Sequence, residues 1–154
     1  MELNSILSST SVGELTLKIR ATLSPSAPVS TAASEMRQRS DGSALICDDN
    51  KLVGIFTERD LMRMIDAGRD LETPLQDVMT AEPQTVTTDD SLFDAIQLMD
   101  EGGYRRVPVV DSNGFPVGVV DVKTVVHFLV QHFPEAVYNQ ASHAQLIAKH
   151  REGA

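Results

Sequence analysis

The apolar positions of this chain trace the same pattern twice. Val29, Ala32, Ala33 and Met36 stand at i, i+3, i+4 and i+7, and Leu92, Ala95, Ile96 and Met99 repeat that spacing. Each set predicts a helix with one apolar stripe. Before each helix lie a short apolar turn, Val12 to Leu15 and Leu75 to Val78, and a brief extended piece around Leu23 or Val86. After each helix the β-branched runs predict a hairpin, Ala44 to Cys47 with Leu52 to Phe56 and Val107 to Val110 with Val117 to Val120. Their turns, Asp48-Asp49-Asn50 and Asp111-Ser112-Asn113-Gly114, have turn compositions. A second helix leaves each hairpin: Glu58 to Ala67, stopped by Gly68, and Val122 to about His132, stopped before Pro134. The predicted order is β-α-β-β-α, twice.

The copies also align residue by residue. Ala21 to Met36 lies over Gln84 to Met99 without a gap at an offset of 63, which becomes 64 beyond the hairpin turn. A fixed period marks one supersecondary unit per copy, with an apolar face that the other copy can cover. The expected fold is therefore α/β, two pseudosymmetric halves sharing one core with a cleft between them. The expected boundaries are a polar, Ser-rich lead-in over residues 1–11, repeats over 12–73 and 74–134, and a C-terminal tail over 135–154. In that tail Ala144, Leu146, Ile147 and Ala148 could make one marginal helix.

Charge narrows the function. Thirteen Lys and Arg against twenty-two Asp and Glu give −9, which opposes the phosphate attraction that nucleic-acid binders rely on. A single cysteine, Cys47, rules out an intrachain disulfide, and its place in an apolar run reads as core. No signal peptide opens the chain and no apolar run approaches the roughly 18 residues of a membrane span, so a cytoplasmic protein without a membrane role is expected. His127, His132, His143 and His150 include no i, i+4 pair, which leaves no metal site to expect. No Ser-His-Asp set or Walker loop is present, so no enzyme and no catalytic cofactor are expected.

The most specific local feature is the strand-to-helix corner Thr57-Glu58-Arg59-Asp60, after Gly54-Ile55-Phe56. Thr57 at N-cap with Asp60 at N3 is a capping box, worth about 1 kcal/mol and needing no ligand. The same corner presents free N–H groups and a positive dipole end, suited to a phosphate or a polar sugar. Gly54 in the strand lets something approach the backbone closely.

The repeat order and this corner resemble the cystathionine-β-synthase (CBS) domain, whose tandem pair is also called a Bateman module. The resemblance covers about Val12 to Phe133. It rests on Gly54-Ile55-Phe56-Thr57-Glu58-Arg59-Asp60-Leu61, on Asp77-Val78-Met79-Thr80 opening the second copy, and on Arg106-Val107-Pro108-Val109-Val110-Asp111. It implies two CBS repeats packed as one CBS-pair module that senses an adenosine-containing ligand, AMP, ADP, ATP or S-adenosylmethionine, and that forms a homodimer.

By the same resemblance Asp60 holds the ribose hydroxyls, while Thr57 and the helix start face ribose or phosphate. A carboxylate suits vicinal hydroxyls because it offers two acceptor oxygens. Adenine would lie among strand residues beside Ile55 and near Ala44, Leu45 and Ile46, and Arg105 and Arg106 of the other repeat would face the phosphate. The alternative for the arginines is solvated surface charge. The second copy departs from the pattern: Asp121 stands where Thr is expected, Thr124 where Asp is expected, and Gly42 and Ser43 where the other copy has Arg105 and Arg106. One ligand per chain is the expectation, with the Asp121, Thr124, Gly42, Ser43 set a degenerate second site. The dimer is expected through Leu61, Met62 and Ile65 with Val125, Val126, Leu129 and Val130. A rival reading makes the chain a ligand-independent dimerisation or docking module for an unidentified regulated protein, with Thr57 and Asp60 as a helix cap.

Overall fold

The computed structural model describes residues 3–17 and 20–132. The expected tail helix around residues 144–148, with His143 and His150, lies outside them. The described residues form two sheets and five α-helices in the doubled order read from the apolar pattern. In the first repeat β1 (Thr22–Leu23) leads to α2 (Val29–Arg39), the hairpin β2 (Ser43–Asp48) and β3 (Lys51–Thr57), and α3 (Glu58–Asp66). In the second, β5 (Val86–Thr87) leads to α4 (Leu92–Gly102), β6 (Arg106–Val110), β7 (Pro116–Asp121) and α5 (Val122–His132). The first strand of each repeat pairs in parallel with the strand after its helix, Thr22 with Leu45 and Val86 with Val109.

The helices begin as their cap residues dictate. Ser91 accepts the Asp94 N–H at 3.0 Å at the start of α4, whereas Pro28 caps α2 with no side-chain bond. The apolar stripe of α2, Val29, Ala32 and Met36, is buried with Ala44, Ile46, Phe56, Met64 and Leu75. Each large apolar side chain so removed from water contributes about 1.5–3 kcal/mol. The opposite face of the first sheet carries Leu45 and Ile55, which pack with Val119 of the second repeat. The repeats therefore meet sheet face to sheet face.

Backbone hydrogen bonds join the repeats reciprocally. Two 3-10 turns, Val12–Glu14 and Leu75–Asp77, occupy the predicted apolar turns, and each docks on the other repeat. Val12 N donates to the Asp90 carbonyl and Gly13 N to Thr88, while Leu92 N donates to Thr10. At the repeat offset, Leu75 N donates to Ala27, Gln76 N to Pro25, and Val29 N to Thr73. The same three bonds are thus made twice, and the pseudosymmetry of the sequence is present in the main chain.

Two elements escaped the apolar pattern. The lead-in contains α1 (Leu3–Ser9), with Leu7 buried, in contact with α4. A strand of two residues, β4 (Thr80–Ala81), opens the second repeat yet pairs with β3 of the first, Ala81 opposite Gly54 and Thr80 opposite Ile55. What approaches Gly54 is this strand: a Cβ there would lie 2.5 Å from Met79 Sδ and 3.1 Å from the Thr80 carbonyl oxygen.

The chain divides after Val120 into two units. Beyond that point α5 exposes Val122, Val126 and Val130, and stacks Phe128 on His132 one turn on, ring centroids 4.3 Å apart. No described helix is long and apolar enough to cross a membrane.

Candidate ligand site at the junction of the repeats

The corner after β3 is built by the residues that the sequence singled out. Thr57 is extended (φ −121°, ψ 168°) and caps α3: its Oγ1 accepts the Asp60 N–H at 3.3 Å and its own N–H donates to Asp60 Oδ2 at 3.0 Å. The Thr57 hydroxyl also lies 3.1 Å from Oδ2. Thr80 Oγ1, from β4, donates to Asp60 Oδ1 at 3.1 Å and lies 3.4 Å from Oδ2. Asp60 is only 5% exposed, so its carboxylate is held by hydroxyls and a main-chain N–H. The first N–H of α3, on Glu58, donates to the Gly42 carbonyl at 3.1 Å, which ties the helix start to the beginning of β2.

Arg106 reaches this corner from the other repeat. A Cβ on Gly42 would meet Arg106 Nη2 at 2.1 Å and Cζ at 2.8 Å, and Glu58 Cδ at 3.2 Å. The guanidinium and the Glu58 carboxylate therefore both lie over Gly42. Arg106 Nε is buried there with no hydrogen-bond partner. Arg105, one residue earlier, is exposed. Ser43 is fully buried on the same stretch, and its Oγ also has no partner.

Ala44, Leu45 and Ile46 lie inside β2, between β1 and β3, and the Leu45 N–H is donated to the Ala21 carbonyl at 2.8 Å. Ile55 is buried opposite Leu45. Thus Thr57, Asp60, Ile55, Gly42, Ser43 and Arg106 come together around one corner. In the second repeat the cap is kept with its residues exchanged: Asp121 Oδ1 accepts the Thr124 N–H at 2.8 Å and its hydroxyl at 2.9 Å. Either order satisfies the orphan N–H groups of a helix start.

Two residues of this corner were not selected from the sequence. In the sequence Glu58 is part of the corner motif and the first residue of the helix Glu58 to Ala67, with no role of its own. Thr80 stands in the sequence only as the last residue of the motif opening the second copy. Its pairing with Asp60 depends on β4, which has no apolar period to reveal it.

Burial raises the thiol pKa of Cys47 above its ordinary value. The described residues include no group of three or more His, Cys, Asp or Glu that could hold a metal ion.

Comparison with known proteins agrees with this architecture. The CBS domain model matches residues 12–67 and 75–131. Over 101 residues the chain is 40% identical to the CBS domain-containing protein YhcV of Bacillus subtilis, covering 65% of this chain and 71% of that one. It is 34% identical over 107 residues to a 17.7 kDa protein of Acidianus ambivalens, a match covering 69% of this chain and 65%, just under two thirds, of the relative. Among solved structures, CBSX2 of Arabidopsis thaliana in complex with AMP superposes with a TM-score of 0.68 at 28% identity, covering 80% of this chain and 98% of that one. The chain belongs to the CBS-domain family and carries a tandem CBS pair.

Proposed function

We propose that this chain is a non-catalytic regulatory module that binds one adenosine-containing ligand, an adenine nucleotide of the AMP type, at the corner where the repeats meet. Asp60 and Thr57 take the ribose, and Arg106 with Arg105 takes the phosphate. The observation that carries this reading is the guanidinium of Arg106, brought by the second repeat to the start of α3 in the first. A cation beside a helix N-terminus and a carboxylate one turn inside it offer complementary ends to a nucleotide. The AMP complex of CBSX2 supports the ligand class. In the second repeat Thr124 stands at the position of Asp60, so that corner lacks the carboxylate that would take a ribose, and the reading has one ligand per chain.

The chain acts as a homodimer in this reading, with Met62 and Ile65 of α3 exposed to 65% and 54% and Val122, Val126 and Val130 exposed on α5. Apolar surface of this kind marks association. A ligand then regulates a partner protein only by its different affinity for two arrangements of the module.

One observation favours the rival docking reading: the Asp60 carboxylate is already engaged by Thr57 and Thr80. A thermal-shift series with AMP, ADP, ATP and S-adenosylmethionine separates the two. A ligand at 100 times its Kd stabilises by about 2.7 kcal/mol, so at least one should raise the melting temperature by several degrees. No shift with any of the four would leave the docking role.

A further inference from the structure

We propose that Thr80 is a positioning residue for ribose recognition: its hydroxyl fixes the Asp60 carboxylate, so that the ribose subsite of the first repeat depends on the strand that opens the second. This rests on the adenosine-binding function above and adds to it how the site is coupled to the junction between repeats.

Asp60 is anchored through two oxygens by two different segments. Oδ2 takes the Thr57 N–H and lies beside the Thr57 hydroxyl, both from its own helix cap. Oδ1 takes the Thr80 hydroxyl at 3.1 Å. The terminal torsion of an aspartate is broad, so the cap alone leaves the carboxylate free to turn about its anchored oxygen. Thr80 removes that freedom. Each carboxylate oxygen can accept more than one hydrogen bond, so Oδ1 keeps capacity for a ribose hydroxyl while its direction is set.

Thr80 is placed by backbone contacts. It pairs opposite Ile55, and Glu82 N donates to the Val53 carbonyl at 3.0 Å just beyond it. The absent side chain of Gly54 admits Met79 and the Thr80 carbonyl. The other copy lacks both partners: at the repeat offset Leu17 stands for Thr80 and Thr124 for Asp60. The Thr80–Asp60 combination therefore occurs once, at the corner after β3 that also has Thr57 and Arg106.

The test is calorimetric titration of the full-length chain with AMP and with 2′,3′-dideoxy-AMP. The parent should prefer AMP by about tenfold or more, the expected worth of hydrogen bonds to a charged group. Thr80→Val keeps the shape and β-branching of the residue and should lose most of that preference, chiefly by weakening AMP. Thr80→Ser restores the hydroxyl and should keep the preference to within about threefold. A Thr80→Val chain with the parent's preference overturns the proposal, as does one that weakens both ligands equally, which is the mark of a merely structural residue. A parent that binds neither AMP nor any other adenosine ligand overturns the function itself, and the proposal with it.

Discussion

The guanidinium of Arg106 occupies the space that a side chain on residue 42 would fill, with Nη2 only 2.1 Å from the position of a Gly42 Cβ. The atom in the way is the far end of a flexible side chain. Gly42→Ala should therefore displace Arg106 rather than unfold β2. It should weaken AMP by about tenfold, the scale of one charge-assisted hydrogen bond, and leave adenosine unchanged. Equal affinity of parent and variant for AMP would separate Arg106 from the phosphate.

Glu58 also lies over Gly42 and carries the wrong charge for an anion. Glu58→Gln removes that repulsion, so affinity should rise by about three- to tenfold for AMP and less for adenosine. The gain should shrink as salt is raised, since exposed charges are screened. Calorimetry at two ionic strengths checks both parts, and weaker AMP binding would contradict them.

Much of this architecture is legible in the sequence, because helices and hairpins announce themselves by period. The stripe Val29, Ala32, Met36 is buried where its spacing puts it, and the β-branched runs of the hairpins are strands buried at consecutive positions, as at Ala44 to Ile46 and Val107 to Val109. Thr57 and Asp60 were legible as a corner for the same reason: a cap is a local pattern. What was not legible is made by contacts distant in sequence. Thr80 lies 20 residues from Asp60, and β4 is two residues long. The seat of Arg106 on Gly42 shows in sequence only as a missing side chain. The lead-in helix Leu3–Ser9 carries only Leu3, Ile6 and Leu7 among serines, too short a stripe to stand out.

Arg20 Nη1 and Asp41 Oδ1 form an ion pair with both side chains 5% exposed, joining the approach to β1 with the turn after α2. Asp41→Ala removes one partner of a buried guanidinium and should cost about 1.5–3 kcal/mol in urea unfolding, the worth of a hydrogen bond to a charged group. A loss near that of an exposed pair, under about 1 kcal/mol, would show that the pair is open to water.

The exposed apolar faces of α3 and α5 predict a dimer at micromolar concentration. Met62→Asp with Ile65→Asp, or Val126→Asp, should shift sedimentation to the monomer. Because these positions are exposed, the fold should lose no more than about 0.5 kcal/mol. A monomeric parent would contradict the assignment.

Titration of AMP into the parent chain and into Asp60→Ala, read by calorimetry for affinity and stoichiometry, tests the proposed site. The parent should saturate at one nucleotide per chain. Asp60→Ala should bind about 100-fold or more weakly, while its stability falls by about 1–3 kcal/mol because the Thr57 N–H and the Thr80 hydroxyl lose their acceptor. Two equivalent nucleotides per chain, or undiminished affinity in Asp60→Ala, would contradict the site described here.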